Sequence, residues 1–206
     1  MSRLRRCALV AVCTALSLPA IAGAPFGVDH RVGYDNSGIW ARKDQNALIA
    51  LMLLGEVGGA VWEGGENRLG RTLWKSTDAT LVGGVSALVL KRVFSRVRPS
   101  DTSDPNAWFK GGGNQSFPSG EVTVTSAIVT PLVLEYRHDQ PLVYALELLP
   151  VYDAVARVKV RSHWQSDVIA GFALGSIAGY MMHRRSDSPW VLSVMPHGIY
   201  VGLKMH

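Results

Sequence analysis

The stretch RVKVRSHWQSDVIAG, residues 157–171, together with the apolar run that carries it on to residue 183, decides the reading of this chain. From about residue 165 to 183 apolar residues recur at helical spacing with no two-residue alternation, so the segment predicts a helix. His163 and Asp167 are four residues apart, a spacing that puts them on one helix face. There a carboxylate can hold one ring nitrogen of the imidazole, fix its tautomer and raise the nucleophilicity of the other nitrogen. A solvated His–Asp pair on a helix surface is the plainer alternative for this segment taken alone.

Working outward, similar helical patterns occupy about 46–62, 78–96, 120–136 and 141–157, separated by polar or Gly/Pro-containing links. The expected class is all-α, a bundle of about five to six core helices. Residues 23–45 lack periodicity and read as an irregular N-terminal arm, so the main domain is expected over 46–206. Residues 100–117, with Trp108, Phe109 and the run Gly111-Gly112-Gly113, form the longest loop, and Trp190 to His206 alternates partly, as a short strand or an extended segment would. The helices are apolar enough for a bilayer, but Glu56, Glu147 and Asp153 interrupt them and a span needs about 20 apolar residues. The pattern leaves a peripheral bundle and a set of short spans both open.

Two other segments carry groups suited to an anion. Lys91 and Arg98 are seven residues apart, two helical turns, with Pro99 placing Arg98 where the helix ends. An ammonium supplies a mobile point charge and a guanidinium a planar fork for two phosphate oxygens; a solvated basic face shared with Arg92 and Arg96 is the competing explanation. Pro118-Ser119-Gly120 precedes an apolar helical pattern, so Ser119 and Gly120 are expected at a helix N-terminus, where free N–H groups and the helix dipole attract anions. An ordinary N-cap by Ser119 explains the same residues. Arg157, upstream of His163, adds a further cation.

The N-terminus, Met1 to Arg6, is basic and leads into an apolar stretch too short to span a bilayer, the form of a secretory signal peptide over residues 1–22. Its removal would take away Arg3, Arg5 and Arg6 and no acidic residue, reducing the net charge from +5 to +2. A nucleic-acid partner is therefore not expected. Cys7 and Cys13, the two cysteines of the chain, would leave with it, so neither disulfides nor zinc–thiolate sites are expected in an exported protein.

Lys91 through six residues to Arg98-Pro99, Phe117-Pro118-Ser119-Gly120, and Arg157 through five residues to His163 and three more to Asp167 resemble, in order, the three signature motifs of the type 2 phosphatidic acid phosphatase (PAP2) and vanadium haloperoxidase superfamily. The similarity covers about residues 91–171. It implies a helical bundle with a metal-independent phosphatase site that needs no cofactor. His163 would attack phosphorus to form a phosphohistidine, Asp167 would orient it, and Lys91, Arg98, Arg157, Ser119 and Gly120 would hold the phosphoryl oxygens. The implied substrate is a phosphorylated lipid or small phosphate ester, met in the periplasm or on the periplasmic side of a membrane, at its surface or within the bilayer.

Two positions depart from the family pattern. The second motif normally continues with a histidine that protonates the leaving oxygen, and here Glu121 stands in its place; the third normally has serine before its arginine, and here Ala156 does. Glu121 could act as the acid only if burial raised its pKa, whereas nearby cations would lower it. Loss of the histidine opens a second reading, a catalytically weakened phosphate- or phospholipid-binding protein. A vanadate-dependent haloperoxidase is a third, disfavoured by the short chain and by the same missing histidine.

Overall fold

The computed structural model describes residues 27–185, 190–195 and 198–203; the expected signal peptide, residues 1–22, lies outside the described residues. Five α-helices form the body: α1 Arg42–Glu63, α2 Arg68–Phe94, α3 Gly120–Tyr136, α4 Leu148–Lys159 and α5 Gln165–His183. A 3-10 turn, Gly38–Trp40, precedes α1, and another, Pro141–Glu147, precedes α4. The core is all-α, as the absence of strand alternation predicts. The partly alternating tail is an antiparallel hairpin appended to it, β1 Trp190–Met195 and β2 Gly198–Leu203, with Trp190 opposite Leu203.

Several boundaries differ from the periodicity, each for a local reason. α3 and α5 match their patterns, but α2 begins at Arg68 rather than near 78, because Asn67 caps it by accepting the Gly70 N–H at 2.8 Å. Its polar first turns are secured from outside: Arg68 donates to Glu135 at 2.7 Å, pairs with Asp139 and lies over the Tyr136 ring. α2 also stops at Phe94, with Ser95 in the left-handed region at φ 39°, so Arg98 is outside the helix and does not share a helical face with Lys91. The pattern at 141–157 divides in two, since Pro150, which has no N–H to donate, fits the first turn of a new α-helix starting at Leu148.

α3 is the central helix, buried on most of its circumference, and α5 lies directly against it. Glycines set that approach. A Cβ on Gly175 would fall 2.2 Å from the Thr123 carbonyl oxygen, and one on Gly171 would fall 2.5 Å from the Ser119 carbonyl oxygen. Gly171 therefore seats the α5 backbone on the turn that begins α3.

The outer faces are apolar in stripes at helical spacing: Leu51, Leu54, Val57 and Val61 on α1, Leu81, Val85 and Leu88 on α2, and Leu148, Val151 and Val155 on α4 are exposed. Leu54 and Leu88 are 70% and 61% exposed. Exposed large apolar residues grouped in this way mark surfaces that face a membrane or a partner more often than water. α1 is long and apolar enough to cross a membrane, and little of it is buried.

Gly175→Leu should destabilise the fold by at least about 1–3 kcal/mol, the usual cost of overpacking. Gly84→Ala, where nothing lies within 4 Å of the added Cβ, should be neutral or stabilising. Denaturant midpoints of the two variants against the parent check the close α3–α5 contact.

Candidate active site

All the motif residues converge at one end of the bundle, where α2 ends, α3 begins, α4 ends and α5 begins. His163 lies in the link between α4 and α5, two residues before the start of α5 at Gln165, rather than on the helix with Asp167. It is 1% exposed. Its Nδ1 is 2.7 Å from the Ser116 carbonyl oxygen. A carbonyl only accepts, so Nδ1 carries the proton and donates, which leaves Nε2 of the neutral ring as the free base.

Asp167 is placed differently from the sequence expectation. Its Oδ2 is 3.7 Å from His163 Nδ1, beyond hydrogen-bond reach, and the direct partner of the ring is the Ser116 carbonyl. The carboxylate instead accepts from the Ser116 hydroxyl at 2.5 Å and the Trp164 N–H at 2.9 Å through Oδ2, and from Arg96 at 2.5 Å through Oδ1. Asp167 and the ring therefore converge on the same residue, Ser116, one through its hydroxyl and the other through its carbonyl. Burial would raise the Asp167 pKa, but the His163 imidazole, the Arg96 charge and the Ser116 hydroxyl hold it below the ordinary carboxylate value.

Arg96, which the sequence placed on a solvated basic face, is fully buried. Its guanidinium pairs with Asp167 and, at 2.6 Å, with Asp29 of the N-terminal arm. Asp29 in turn accepts the Ser166 N–H and hydroxyl, both at 2.7 Å. The arm expected to lie outside the core thus contributes a carboxylate beneath the site. Neither connection has a local signal, because Asp29 is 67 residues from Arg96 and 137 from Ser166.

The predicted anion-binding groups lie at this same end of the bundle. Arg157 is buried, with Nε donating to Asp153 at 3.2 Å and Nη2 in ion-pair contact with Glu121 at 2.8 Å without hydrogen-bond alignment, while Nη1 has no hydrogen-bond partner among the described residues. Lys91 donates to the Gln115 and Pro118 carbonyls, each at 2.7 Å, and so ties the loop carrying Ser116 to the end of α2. Arg98 donates to the Ser162 carbonyl at 3.3 Å, next to His163. Ser119 is the N-cap of α3, its hydroxyl accepting from Val122, and its own N–H donates to the Asp167 carbonyl at 2.9 Å. Gly120 opens α3 beside the Lys91 side chain. No group of three or more His, Cys, Asp or Glu able to hold a metal ion occurs among the described residues.

Two segments far apart in the sequence thus bring a buried imidazole, a buried guanidinium with an unpaired donor, and a helix N-terminus together at one end of the bundle. A family model for the PAP2 superfamily matches residues 73–188. The chain belongs to the PAP2 superfamily. It is similar to a lipid A 1-phosphatase of Porphyromonas gingivalis, 27% identical over 180 residues, in a match that covers 83% of this chain and 38% of that protein. The chain therefore spans about four-tenths of the length of this curated relative. It also resembles a solved structure, the first transmembrane PAP2 type phosphatidylglycerolphosphate phosphatase from Bacillus subtilis, with a TM-score of 0.52 at 21% identity over 71% of this chain and 76% of that one. That likeness concerns the fold.

Within the PAP2 pattern the unusual residue is Glu121. It sits in the first turn of α3, one-third exposed, with Oε1 on Arg157 and Oε2 at 3.8 Å from His163 Nε2. Burial alone would raise its pKa, but the His163 imidazole and the charges of Arg157 and Arg42 outweigh that and hold it at about 2. At neutral pH it is a carboxylate with no proton to give. Arg42, in the first turn of α1, was not singled out by any motif; it donates to the Ser162 hydroxyl at 2.7 Å.

Two outcomes follow from these placements. Arg96→Met should cost roughly 3–5 kcal/mol, because it leaves two buried carboxylates unpaired, and chemical denaturation measures it. The Glu121 pKa is lowered from 4.5 unfolded to about 2 folded, so the stability the carboxylate contributes is full above pH 4.5 and disappears as the pH falls to about 2. The stability difference between the parent and Glu121→Gln should shrink across that window, as thermal unfolding at stepped pH would record.

Proposed function

We propose that this chain is a membrane-associated phosphatase that hydrolyses phosphate monoesters or diphosphates of lipids through a phosphohistidine. The observation that carries the reading is the buried His163 ring, its Nδ1–H engaged by the Ser116 carbonyl and its Nε2 on the side of Glu121, which pairs with Arg157. In the first step the Nε2 lone pair forms the N–P bond while the bond from phosphorus to the leaving oxygen breaks and that oxygen takes the electron pair. In the second, a water oxygen attacks phosphorus, the N–P bond breaks, and inorganic phosphate leaves with His163 restored. Arg157, Arg98 and Lys91, with the N–H groups at the start of α3, would stabilise charge on the transferring oxygens, the usual main contribution to phosphoryl transfer.

The apolar stripes on the helices and the relatives, one named for lipid A and the other for phosphatidylglycerolphosphate, support a lipid substrate. With the site at one end of an apolar bundle, a lipid in the membrane would present its phosphate to the pocket while its chains stay beside the helices. The signal-like N-terminus supports export, with the site on the periplasmic side.

An ionised Glu121 also shapes the substrate range. Without a proton donor at that position the leaving oxygen must depart as an anion, which a phosphate leaving group tolerates far better than an alkoxide. Diphosphates should therefore turn over faster than alkyl monophosphates at neutral pH. Glu121→His should narrow that gap by speeding the monoester.

The same residue favours a second reading, a phosphate- or phospholipid-binding protein with the cations intact and no turnover. Phosphate release by the purified chain from a polyprenyl diphosphate, phosphatidate, lipid A and phosphatidylglycerolphosphate, at acidic and neutral pH, separates the two. Turnover that falls about 10³-fold or more in His163→Ala supports the enzyme. No release from any ester at any pH, with phosphate still bound, would establish the binding protein instead.

A further inference from the structure

The two oxygens of Glu121 face the two groups a phosphoryl transfer would require, Arg157 Nη2 at 2.8 Å and His163 Nε2 at 3.8 Å. A phosphoryl group poised for attack must put phosphorus in front of Nε2 and its oxygens on the guanidinium. It needs the volume the carboxylate fills. The two anions cannot share it, because Arg157 already carries Asp153 on its Nε at 3.2 Å and lies out of water, where like charges repel strongly.

The carboxylate has somewhere to go. Glu121 is one-third exposed and stands in the first turn of α3, so its side chain can rotate toward solvent without disturbing the helix. A cation close to the site is Arg42, whose guanidinium reaches the residue next to His163 and whose charge acts on both Glu121 and Arg157. Its Nη1 bonds the neutral Ser162 hydroxyl, adjacent to His163, and its backbone is fixed by the 2.7 Å bond from its N–H to Asn36 Oδ1. Arg42 also lies outside residues 73–188, the part of the chain matched by the family model.

We infer that Glu121 occupies the phosphoryl pocket of the empty site as an internal anion and passes to Arg42 when phosphate enters, with Arg42 the positioning residue that makes this exchange favourable. The inference rests on the phosphate-handling reading above. The exchange keeps Arg157 paired in both states: with Glu121 before binding and with phosphate after it. It also moves a negative charge off the path of an anionic substrate, so Arg42 influences affinity without touching phosphorus.

Binding of inorganic phosphate and of vanadate to the full chain in detergent micelles at neutral pH tests this, using the parent, Glu121→Gln, Arg42→Ala, Arg42→Lys and the Glu121→Gln/Arg42→Ala double variant. Glu121→Gln should bind about tenfold or more tightly than the parent, since a like charge is removed at contact. Arg42→Ala should weaken binding severalfold in the parent, Arg42→Lys should restore most of it, and Arg42→Ala should change nothing once Glu121 is Gln. Glu121→Ala repeats the comparison without an amide that could still bond Arg157. Equal weakening by Arg42→Ala in both backgrounds would mean that Arg42 grips the phosphate itself and would overturn the exchange. So would unchanged or weaker binding by both Glu121 variants, or no effect of Arg42→Ala in the parent. Phosphate and vanadate binding absent from every variant would overturn the phosphate site and the exchange with it.

Discussion

The site depends on the buried guanidinium of Arg96. A guanidinium has five N–H donors, and here all five have an acceptor: Nε and Nη2 meet the Pro105 carbonyl, Nη2 also meets Asp29, and Nη1 meets Ser166 and Asp167. The rings of Trp108 and Trp164 lie 4.1 and 5.4 Å from its central carbon. A charge removed from water this completely is tolerable only because its hydrogen bonds are complete and two carboxylates balance it. It thereby joins the arm, the long loop and the start of α5, three segments that share no secondary structure.

The position of His163 follows from that junction. The Arg96 carbonyl accepts the Ser116 N–H at 3.0 Å, and Ser116 then offers its carbonyl to the imidazole and its hydroxyl to Asp167. The tautomer of His163 is set by a loop backbone whose own position is set by a buried ion pair. Lys91 fixes the same loop from the other side through Gln115 and Pro118. A residue in a phosphate-binding motif can therefore shape the site as much by holding backbone as by offering charge.

The sequence made the bundle legible because α3 and α5 are apolar all round and bounded by clear stop signals. It blurred α2, where Arg68, Arg71, Lys75 and Asp78 break the apolar pattern at a helix end held by ion pairs to α3, a contact that no local window contains. The candidate site residues were legible for a similar reason: Lys91, Arg98, Ser119, Arg157 and His163 sit at recognisable spacings in short segments. Arg96 and Asp29 were not, since a buried arginine and a solvated one look alike until the partner is known. The His163–Asp167 spacing suggests a helical pair, yet the helix starts at Gln165, and the spacing instead lets Asp167 accept the Trp164 N–H at the head of α5 while the ring turns to Ser116.

The electrostatics of the pocket follow from which cations are buried and which are not. Arg157 is enclosed and must be neutralised locally at all times, by Asp153 at its base and a second anion at its open end. Where the family pattern has an imidazole, this chain has a carboxylate that supplies that second anion itself. The carboxylate is thereby a counterion that the chain itself holds against Arg157. Under the exchange inferred above, an entering anion would have to bring more charge to Arg157 than one carboxylate does, as a phosphate dianion would.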